Sequence, residues 1–362
     1  MEQILMRFSP VALPPADTFH DQTCLVTGGT GGLGLALAAH FINLGAKQVV
    51  ITSRNAAKSK NALKELEKLT SGKSAPKDKV RVMELDMSSF KSVVNFAAEA
   101  SKINSGKGGL DCVFLNAGAI AVDYELTDDG FETNLQTNAI GTALLARLLL
   151  DSMLRERPNR TTLAHMGLTG SGHHLTFTVE ELDKWAATPP MGDGGSVRGG
   201  LVGYVNDPKK YPNPDFSYSI TKTLAHYAMA QIAELARDEK TGRPQVIVNT
   251  CCPGIVKTDL ARNHAAKGLH MVAGIALFHG VLGKTAEQGA RTLLRSVMTG
   301  EEQHGEFIRF YGDKAKTAEQ SSKLFKSETG KKVRAAFWRE VGDVVREKAP
   351  SAAHLFPRAE KA

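Results

Sequence analysis

The chain has 362 residues, of which 42% are hydrophobic and 23% are charged, and this composition excludes a largely disordered protein. Its net charge of +7 is scattered along the chain without a basic block, which argues against nucleic-acid binding. Its four cysteines, Cys24, Cys112, Cys251 and Cys252, lack metal-ligand spacing and lie in apolar stretches, so we expect buried thiols, no metal site and a reducing, cytoplasmic setting.

The first 20 residues predict an N-terminal arm, because prolines interrupt them and they lack the long apolar run of a signal peptide. From residue 21 onward, β-branched runs alternate with amphipathic stretches, a pattern typical of βαβ units. Seven strands are predicted, at residues 23–27, 48–53, 80–85, 110–115, 161–168, 245–250 and 306–311. The sequence therefore predicts a single α/β domain over residues 21–313, with a Rossmann-type, doubly wound, parallel seven-stranded sheet.

Helices are predicted between these strands, at residues 33–44, 56–69, 90–103, 131–154 and 219–237. Two segments do not fit the repeating unit. Residues 175–215 predict an insertion that contains a short helix at 179–187, and residues 260–284 predict a substrate lid. Within the lid, the apolar stretch 271–282 is too short to be a transmembrane segment, although weak membrane contact stays open. Residues 314–362 predict a C-terminal helical extension that closes with a helix at 333–345.

A glycine-rich loop joins the first predicted strand directly to the first predicted helix. Glycines lack a Cβ, so they let a pyrophosphate approach the backbone N–H groups at a helix N-terminus. The spacing here is G-x-x-x-G-x-G, and its position between a strand and an apolar helix predicts dinucleotide binding. The expected contacts are Thr27, Gly28, Thr30, Gly32, Leu33 and Gly34.

The end of the second predicted strand discriminates between NAD and NADP, since an acid there would bind the ribose hydroxyls and a base the 2′-phosphate. The chain has Ser53 and Arg54 at this point and no acidic residue. Arg54 can pair with a phosphate through two N–H groups, and Ser53 can donate from its hydroxyl. The sequence therefore favours NADP(H), with a solvated arginine at a helix start as the alternative.

Two later strand ends complete the predicted cofactor site. Asp86 and Met87 follow the third strand, where the carboxylate can accept from the adenine amino group. The fourth strand ends in Asn116, Ala117 and Gly118, small residues that let a cofactor pass over the sheet edge.

Tyr218 and Lys222 lie one helical turn apart at the start of a predicted helix, so phenol and ammonium share one face. An unperturbed phenol has a pKa of ~10, which is too high for proton exchange at neutral pH. A nearby cation stabilises the phenolate, and Lys222 supplies it. The pair is a candidate proton donor and acceptor.

A hydride that adds to a carbonyl carbon leaves negative charge on the oxygen, which calls for a fixed hydroxyl donor. Ser171, after the fifth predicted strand, is the first candidate and Thr169 the second. We expect His173 and His174 to be loop residues bonded by backbone groups rather than catalytic residues.

Over roughly residues 20–310 the chain resembles the short-chain dehydrogenase/reductase superfamily. The resemblance is carried by TGGTGGLG, LDMS, LNAG, LQTN, a strand-end serine, YSITK and CCPGIVKTDL, in this order. Ser-x-x-His after the fifth strand and Thr-Asp-Leu after Pro-Gly are similar to the retinol-dehydrogenase and protochlorophyllide-reductase-like branch. Within that branch the chain is similar to tailoring reductases of fungal secondary metabolism.

The resemblance implies a catalytic set of Ser171, Tyr218, Lys222 and Asn138. Tyr218 would be the acid or base, Lys222 would depress its pKa and hold the nicotinamide ribose, and Ser171 would hold the substrate oxygen. Asn138 would kink its helix and position a water that relays protons through Lys222. The resemblance also implies contacts to the nicotinamide amide from Pro253, Gly254, Ile255 and Thr258, and it leaves a homo-oligomer possible.

The implied function is NADPH-dependent reduction of a ketone or aldehyde on a fairly apolar small molecule, or the reverse alcohol oxidation. The chain departs from the family in a longer segment between Ser171 and Tyr218 and in its extra C-terminal helices. Two alternatives stay open: a cofactor-dependent cyclase or C=C reductase on the same fold, and a non-catalytic NADP-binding scaffold or regulator.

Overall fold

The computed structural model describes residues 11–70, 76–121, 123–189, 199–210, 214–257, 283–310 and 314–357. In this part of the chain seven parallel strands form one sheet, in the order β3-β2-β1-β4-β5-β6-β7. The strands are β1 (Thr23–Val26), β2 (Gln48–Ser53), β3 (Val80–Glu84), β4 (Cys112–Leu115), β5 (Ala164–Thr169), β6 (Val246–Cys251) and β7 (Phe307–Ile308). The predicted Rossmann-type parallel sheet of seven strands is confirmed.

Helices connect and flank the strands. They are α1 (Gly32–Asn43), α2 (Ala56–Leu69), α3 (Phe90–Ala100), α4 (Gly141–Arg155), α5 (Val179–Ala186), α6 (Gly200–Val205), α7 (Pro214–Leu235), α8 (Ala286–Ser296), α9 (Lys314–Phe325) and α10 (Glu328–Lys348), besides shorter turns. Helix α8 was not predicted, although the capping box of Thr285 and Gln288 marks its start. Helix α7 begins five residues before its predicted start at 219.

The central strands are apolar on both faces because helices cover both sides of the sheet, whereas the edge strand β3 exposes Arg81 and Glu84. Along β1, Leu25 points into one core and its neighbours Cys24 and Val26 point into the other. Helices α1, α2 and α8 enclose the second core, which contains Phe41, while α3, α4 and α7 enclose the first, which contains Tyr227. All four cysteines are buried, as predicted.

The chain builds β1, β2 and β3 outward on one side and then crosses to β4 on the other side of β1. In open parallel sheets a ligand crevice forms where the strand order reverses, beyond the carboxyl ends of the two central strands. Here those strands are β1 and β4, and the predicted glycine loop follows β1 directly. The fold therefore places the site at this edge.

The C-terminal helices pack onto the body of the molecule. Helix α10 contacts α5, α6 and α7, and its Phe337, Val341 and Val345 join the same core as the sheet. The predicted insertion contributes α5 and α6, so α10 packs against both its helices.

Several expectations fall outside the described residues. They are the start of the N-terminal arm, the centre of the insertion, and nearly all of the lid at 260–284 with its apolar stretch. Among the helices that are described, none combines the length and apolar character needed to cross a membrane.

Candidate active site

The predicted site residues collect at the carboxyl ends of β1, β4 and β5. Asn116, after β4, donates from its main-chain N–H to the Thr27 hydroxyl over 2.9 Å. Its side-chain oxygen accepts from the Thr169 hydroxyl over 3.1 Å. Asn116 therefore ties three neighbouring strand ends together and fixes the floor of the crevice.

The glycine loop packs tightly on its inner side. Gly28 has a φ of +66°, a left-handed conformation that glycine adopts readily. A Cβ on Gly34 would lie 2.4 Å from the Gly28 carbonyl oxygen and 2.6 Å from Asn116 Nδ2, so a larger residue does not fit. Among the remaining predicted contacts, Thr27 and Thr30 lie on this turn, and Gly32 and Leu33 are the first residues of α1.

The outer side of the loop is open. Gly31 caps α1 without any side-chain hydrogen bond, and a Cβ placed there would meet nothing within 4 Å. The first N–H groups of a helix have no intrahelical partner, and they attract anions. This corner can therefore accept a pyrophosphate against the backbone.

At the end of β2, Arg54 is 65% exposed and its Nη1 lies 3.8 Å from Asp86 Oδ1. Ser53 is buried, and its hydroxyl donates to the main-chain oxygen of Asn55 over 2.9 Å. In this structure the Ser53 hydroxyl is therefore bonded within its own turn, and its donation to a cofactor stays a prediction. Met87 is buried beside Asp86. Arg54 is the side chain of this group that extends to solvent.

Asn138 lies in a π-helical stretch, Leu135–Ile140, that precedes α4, which agrees with the expected irregularity of its helix. Its Oδ1 accepts from the Ala119 main-chain N–H and its Nδ2 donates to the Ala119 carbonyl oxygen, both over 2.9 Å. Just before Ala119, a Cβ on Gly118 would lie 3.1 Å from Asn138 Oδ1 and 3.4 Å from Lys222 Nζ. Asn138 thus fixes the backbone of Gly118 and Ala119, after β4, in contact with the Lys222 side chain.

Tyr218 and Lys222 share one face of α7, as their spacing predicts. Lys222 Nζ lies 5.9 Å from the centroid of the Tyr218 ring. The same Nζ donates to the main-chain oxygen of Thr169 over 2.9 Å, which anchors the lysine at the end of β5. The ammonium is therefore held beside the phenol.

Ser171 faces this pair from the loop after β5. Its side chain lies close enough to the Tyr218 phenol to lower the pKa of that group, and its Oγ accepts from the His173 main-chain N–H over 3.2 Å. Because the oxygen accepts there, the hydroxyl proton can be donated elsewhere. The hydroxyl of Thr169, the second candidate, donates to Asn116. The geometry therefore favours Ser171.

Burial sets the protonation states of the pair. It raises the pKa of Tyr218 to about 12, an effect that the hydrogen bond with Ser171 opposes. Burial also lowers the pKa of Lys222 to about 8. Near neutral pH the site therefore holds a phenol that can give up a proton, next to an ammonium that would stabilise the resulting phenolate.

Two features near Tyr218 were not predicted. The His173 ring packs edge-on against the Tyr218 ring at 5.8 Å, and its Nδ1 lies 2.9 Å from the Ser219 hydroxyl rather than bonding to backbone. Buried Glu132 accepts from the Ser217 hydroxyl over 3.2 Å and so holds the start of α7, while burial raises its pKa. The same carboxylate also accepts from the Leu135 main-chain N–H over 2.7 Å, but no local pattern predicts its bond to Ser217, which is 85 residues away.

Beyond β6 the chain turns through Pro253, Gly254 and Ile255, and Gly254 has a φ of +81°. The Ile255 carbonyl accepts from the Lys284 N–H over 3.0 Å, which fixes this turn at the edge of the site. Thr258 lies outside the described residues. Among the residues that are described, no cluster of three or more His, Cys, Asp or Glu side chains is arranged to hold a metal ion.

Comparison with known sequences gives consistent matches. A family model described as short chain dehydrogenase matches residues 22–161. The chain is 32% identical over 335 residues to the short-chain dehydrogenase/reductase phmF of Phaeosphaeria nodorum, covering 92% of this chain and 89% of the relative. It is 33% identical over 345 residues to the short-chain dehydrogenase/reductase ffsI of Aspergillus flavipes, covering 94% and 92%. The similarity therefore extends well beyond the residues that the family model matches.

Solved structures agree on the fold. The 3-oxoacyl (acyl-carrier-protein) reductase of Agrobacterium tumefaciens C58, solved with NADP bound, superposes with a TM-score of 0.53 at 18% identity. The match covers 80% of this chain and 93% of that chain. At this level of identity the likeness concerns the architecture.

Proposed function

The chain belongs to the short-chain dehydrogenase/reductase family, and we propose that it uses NADPH to reduce a ketone or aldehyde on a fairly apolar small molecule. The reverse alcohol oxidation would use the same residues. The observation that carries the proposal is the pair of half-buried Tyr218 and buried Lys222, which faces Ser171 at the carboxyl edge of the sheet. The four buried thiols fit a cytoplasmic setting, which belongs to the same proposal.

The residues at the switch point fit a phosphorylated dinucleotide. The open outer side of the loop at Gly31 can take the pyrophosphate, and exposed Arg54 can pair with a 2′-phosphate. Asp86 would accept from the adenine, and Pro253 and Gly254 would flank the nicotinamide. NADPH, when bound, supplies a hydride. The preference over NADH rests on Arg54, because no acid occupies the end of β2.

The chain's own groups would handle the proton and the charge. Ser171 would donate a hydrogen bond to the carbonyl oxygen and orient it. Tyr218 would transfer its phenolic proton to that oxygen as the carbonyl becomes an alcohol. Lys222 would stabilise the phenolate left on Tyr218 until a solvent proton replaces the one transferred. Asn138 would keep the backbone beside Lys222 in place.

The surroundings of the site support an apolar substrate. In the insertion, Phe177, Trp185 and Tyr204 form an aromatic cluster with Phe216, with Trp185 stacked on Tyr204 at 4.7 Å between centroids. The cluster lies at the start of α7, the helix that carries Tyr218. A secondary-metabolite intermediate with a ring or chain beside its carbonyl has the expected character.

The experiment measures NADPH consumption with a panel of ketones and aldehydes for the wild type and Tyr218→Phe. We expect turnover in the wild type and a loss of at least about 100-fold in kcat for the variant, with NADPH binding retained. The matched control is Tyr227→Phe, which removes a hydroxyl on the same helix whose partner is the Leu324 carbonyl. Unchanged turnover in Tyr218→Phe would refute the mechanism.

The same assay separates the alternatives. NADPH binding without turnover on any substrate would favour a non-catalytic scaffold. Consumption that yields a saturated C–C bond or a ring instead of an alcohol, identified by product analysis, would favour a C=C reductase or cyclase.

A further inference from the structure

His174 lies buried behind Ser171, and both of its ring nitrogens have partners. Nδ1 lies 2.7 Å from the main-chain oxygen of Ser171, and Nε2 lies 3.1 Å from the Ser321 hydroxyl. A carbonyl oxygen only accepts, so Nδ1 carries the proton and Nε2 accepts from Ser321. We expected backbone bonding alone, but half of the bonding comes from a side chain 147 residues away.

The pocket around the imidazole is lined by aromatic rings and buried. Phe307 lies 4.4 Å, His226 5.3 Å and Phe325 5.4 Å from it between ring centroids. The His174 residue is 1% exposed, and burial lowers its pKa to about 4, so it stays neutral at physiological pH. Phe325, like Ser321, belongs to α9, so the C-terminal extension closes this pocket.

Ser171 is held from two sides. Its Oγ accepts from the His173 N–H over 3.2 Å, and its carbonyl accepts from His174. These bonds restrain both the side chain and the peptide group that follows it. The hydroxyl is thereby kept next to Tyr218, the pKa of which it lowers. A donor held in this way loses little entropy when it meets a substrate oxygen.

We propose that His174 is a positioning residue for the reduction, because its Nδ1–H bond to the Ser171 carbonyl fixes that peptide group. Ser321 of α9 donates to Nε2 and so keeps the His174 imidazole in the tautomer with the proton on Nδ1. The proposal rests on the proposed function of Ser171. It makes the C-terminal extension part of the active-site apparatus, because α9 supplies the hydroxyl that orients the imidazole. His174 itself touches neither substrate nor cofactor in this role.

The test compares five variants, Ser321→Thr among them, by steady-state kinetics at a temperature where all are folded. His174→Leu removes both bonds, and His174→Asn keeps an N–H donor near the Nδ1 position. Ser321→Ala removes only the hydroxyl on Nε2, and it leaves a folded protein if His174→Leu does not fold. His165→Asn is the matched control, since His165 lies at the other end of β5 with Nε2 3.0 Å from the Thr299 carbonyl oxygen.

We expect His174→Leu to lower kcat by about 10- to 100-fold with little change in KM or in NADPH affinity. His174→Asn should recover part of the loss, Ser321→Ala should lower kcat several-fold, and Ser321→Thr should restore it. His165→Asn should leave kcat unchanged. Equal kcat losses in the His165 and His174 variants, or none in either, would overturn the proposal.

Amide hydrogen exchange over residues 171–176 gives a readout that does not depend on turnover. We expect exchange there to speed up in His174→Leu and Ser321→Ala and to stay slow in His165→Asn. Unchanged exchange in both site variants would overturn the proposal. If the wild type reduces no substrate, the proposed function fails, while exchange still decides whether His174 holds the Ser171 segment.

Discussion

Replacing Lys222 by Met would remove the ammonium beside Tyr218 and keep an unbranched side chain. In the wild type Nζ lies 5.9 Å from the centre of the phenol ring. With the phenolate charge placed at the ring centre, two unit charges at this separation interact by about 3 kcal/mol at an effective dielectric constant of ~20. This energy stabilises the phenolate that remains when Tyr218 gives up its proton. Since 1.36 kcal/mol corresponds to a tenfold change in rate, we expect kcat to fall by about 100-fold.

The assay follows the loss of NADPH absorbance at saturating ketone and cofactor, with NADPH affinity measured separately by fluorescence because Lys222 is also expected to hold the ribose. Wild-type reduction should decline as pH rises through about 8, where Lys222 loses its charge. Lys222→Arg, which stays charged, should move that decline to higher pH. A kcat for Lys222→Met within about threefold of the wild type would refute the charge argument.

Arg54→Leu should raise the KM for NADPH by about tenfold or more and spare NADH, because a hydrogen bond to a charged group contributes about 1.5–3 kcal/mol; Arg81→Leu, an exposed arginine on β3, should change neither KM. Gly34→Ala should lower both the melting temperature and NADPH affinity, whereas Gly31→Ala should lower only the affinity, since its Cβ would occupy open space. Burial raises the pKa of Glu340 from 4.5 to about 7, so wild-type stability should fall as pH rises between these values, by up to about 3 kcal/mol. Urea unfolding of Glu340→Gln should not show this decline. If the free energies of unfolding of the wild type and Glu340→Gln differ by the same amount at every pH, the prediction is wrong.

The parts of the site that could be predicted are local in sequence. The glycine loop occupies one continuous strand-to-helix corner, and Tyr218 and Lys222 lie one turn apart on one helix. In both cases the spacing of nearby residues determines the geometry. Ser171 could also be predicted, because the carboxyl ends of parallel strands meet at one edge of the sheet.

Other features required the structure because they depend on which groups are already bonded. The Ser53 hydroxyl is used by its own turn and the Thr169 hydroxyl by Asn116, and neither use leaves a trace in composition or periodicity. Helix α8 does have a local signal, the capping box of Thr285 and Gln288, which follows directly after the residues predicted to form a lid.

The contacts that join the insertion to the C-terminal extension could not be predicted, because each links residues more than a hundred positions apart. Glu340 on α10 accepts from the main-chain N–H groups of Leu201 and Val202 at the start of α6, over 3.2 and 2.7 Å. A Cβ on Gly200, the residue before Leu201, would lie 2.0 Å from that carboxylate. The contact with Glu340 therefore requires glycine at position 200. In the sequence Glu340 is one acid among many on a polar helix face.

These long-range bonds indicate that the C-terminal extension cannot be removed without disturbing the rest of the fold. A chain ending at 313 would leave the N–H groups of Leu201 and Val202 without their carboxylate and His174 Nε2 without the Ser321 hydroxyl. It would also expose the part of the first core that Phe337 covers. A buried polar group without a partner costs about 1–3 kcal/mol. Truncation should therefore lower the local stability of the insertion and of the segment after β5, which lie beside Tyr218. The glycine loop after β1 lies on the other side of the switch point and should be affected less.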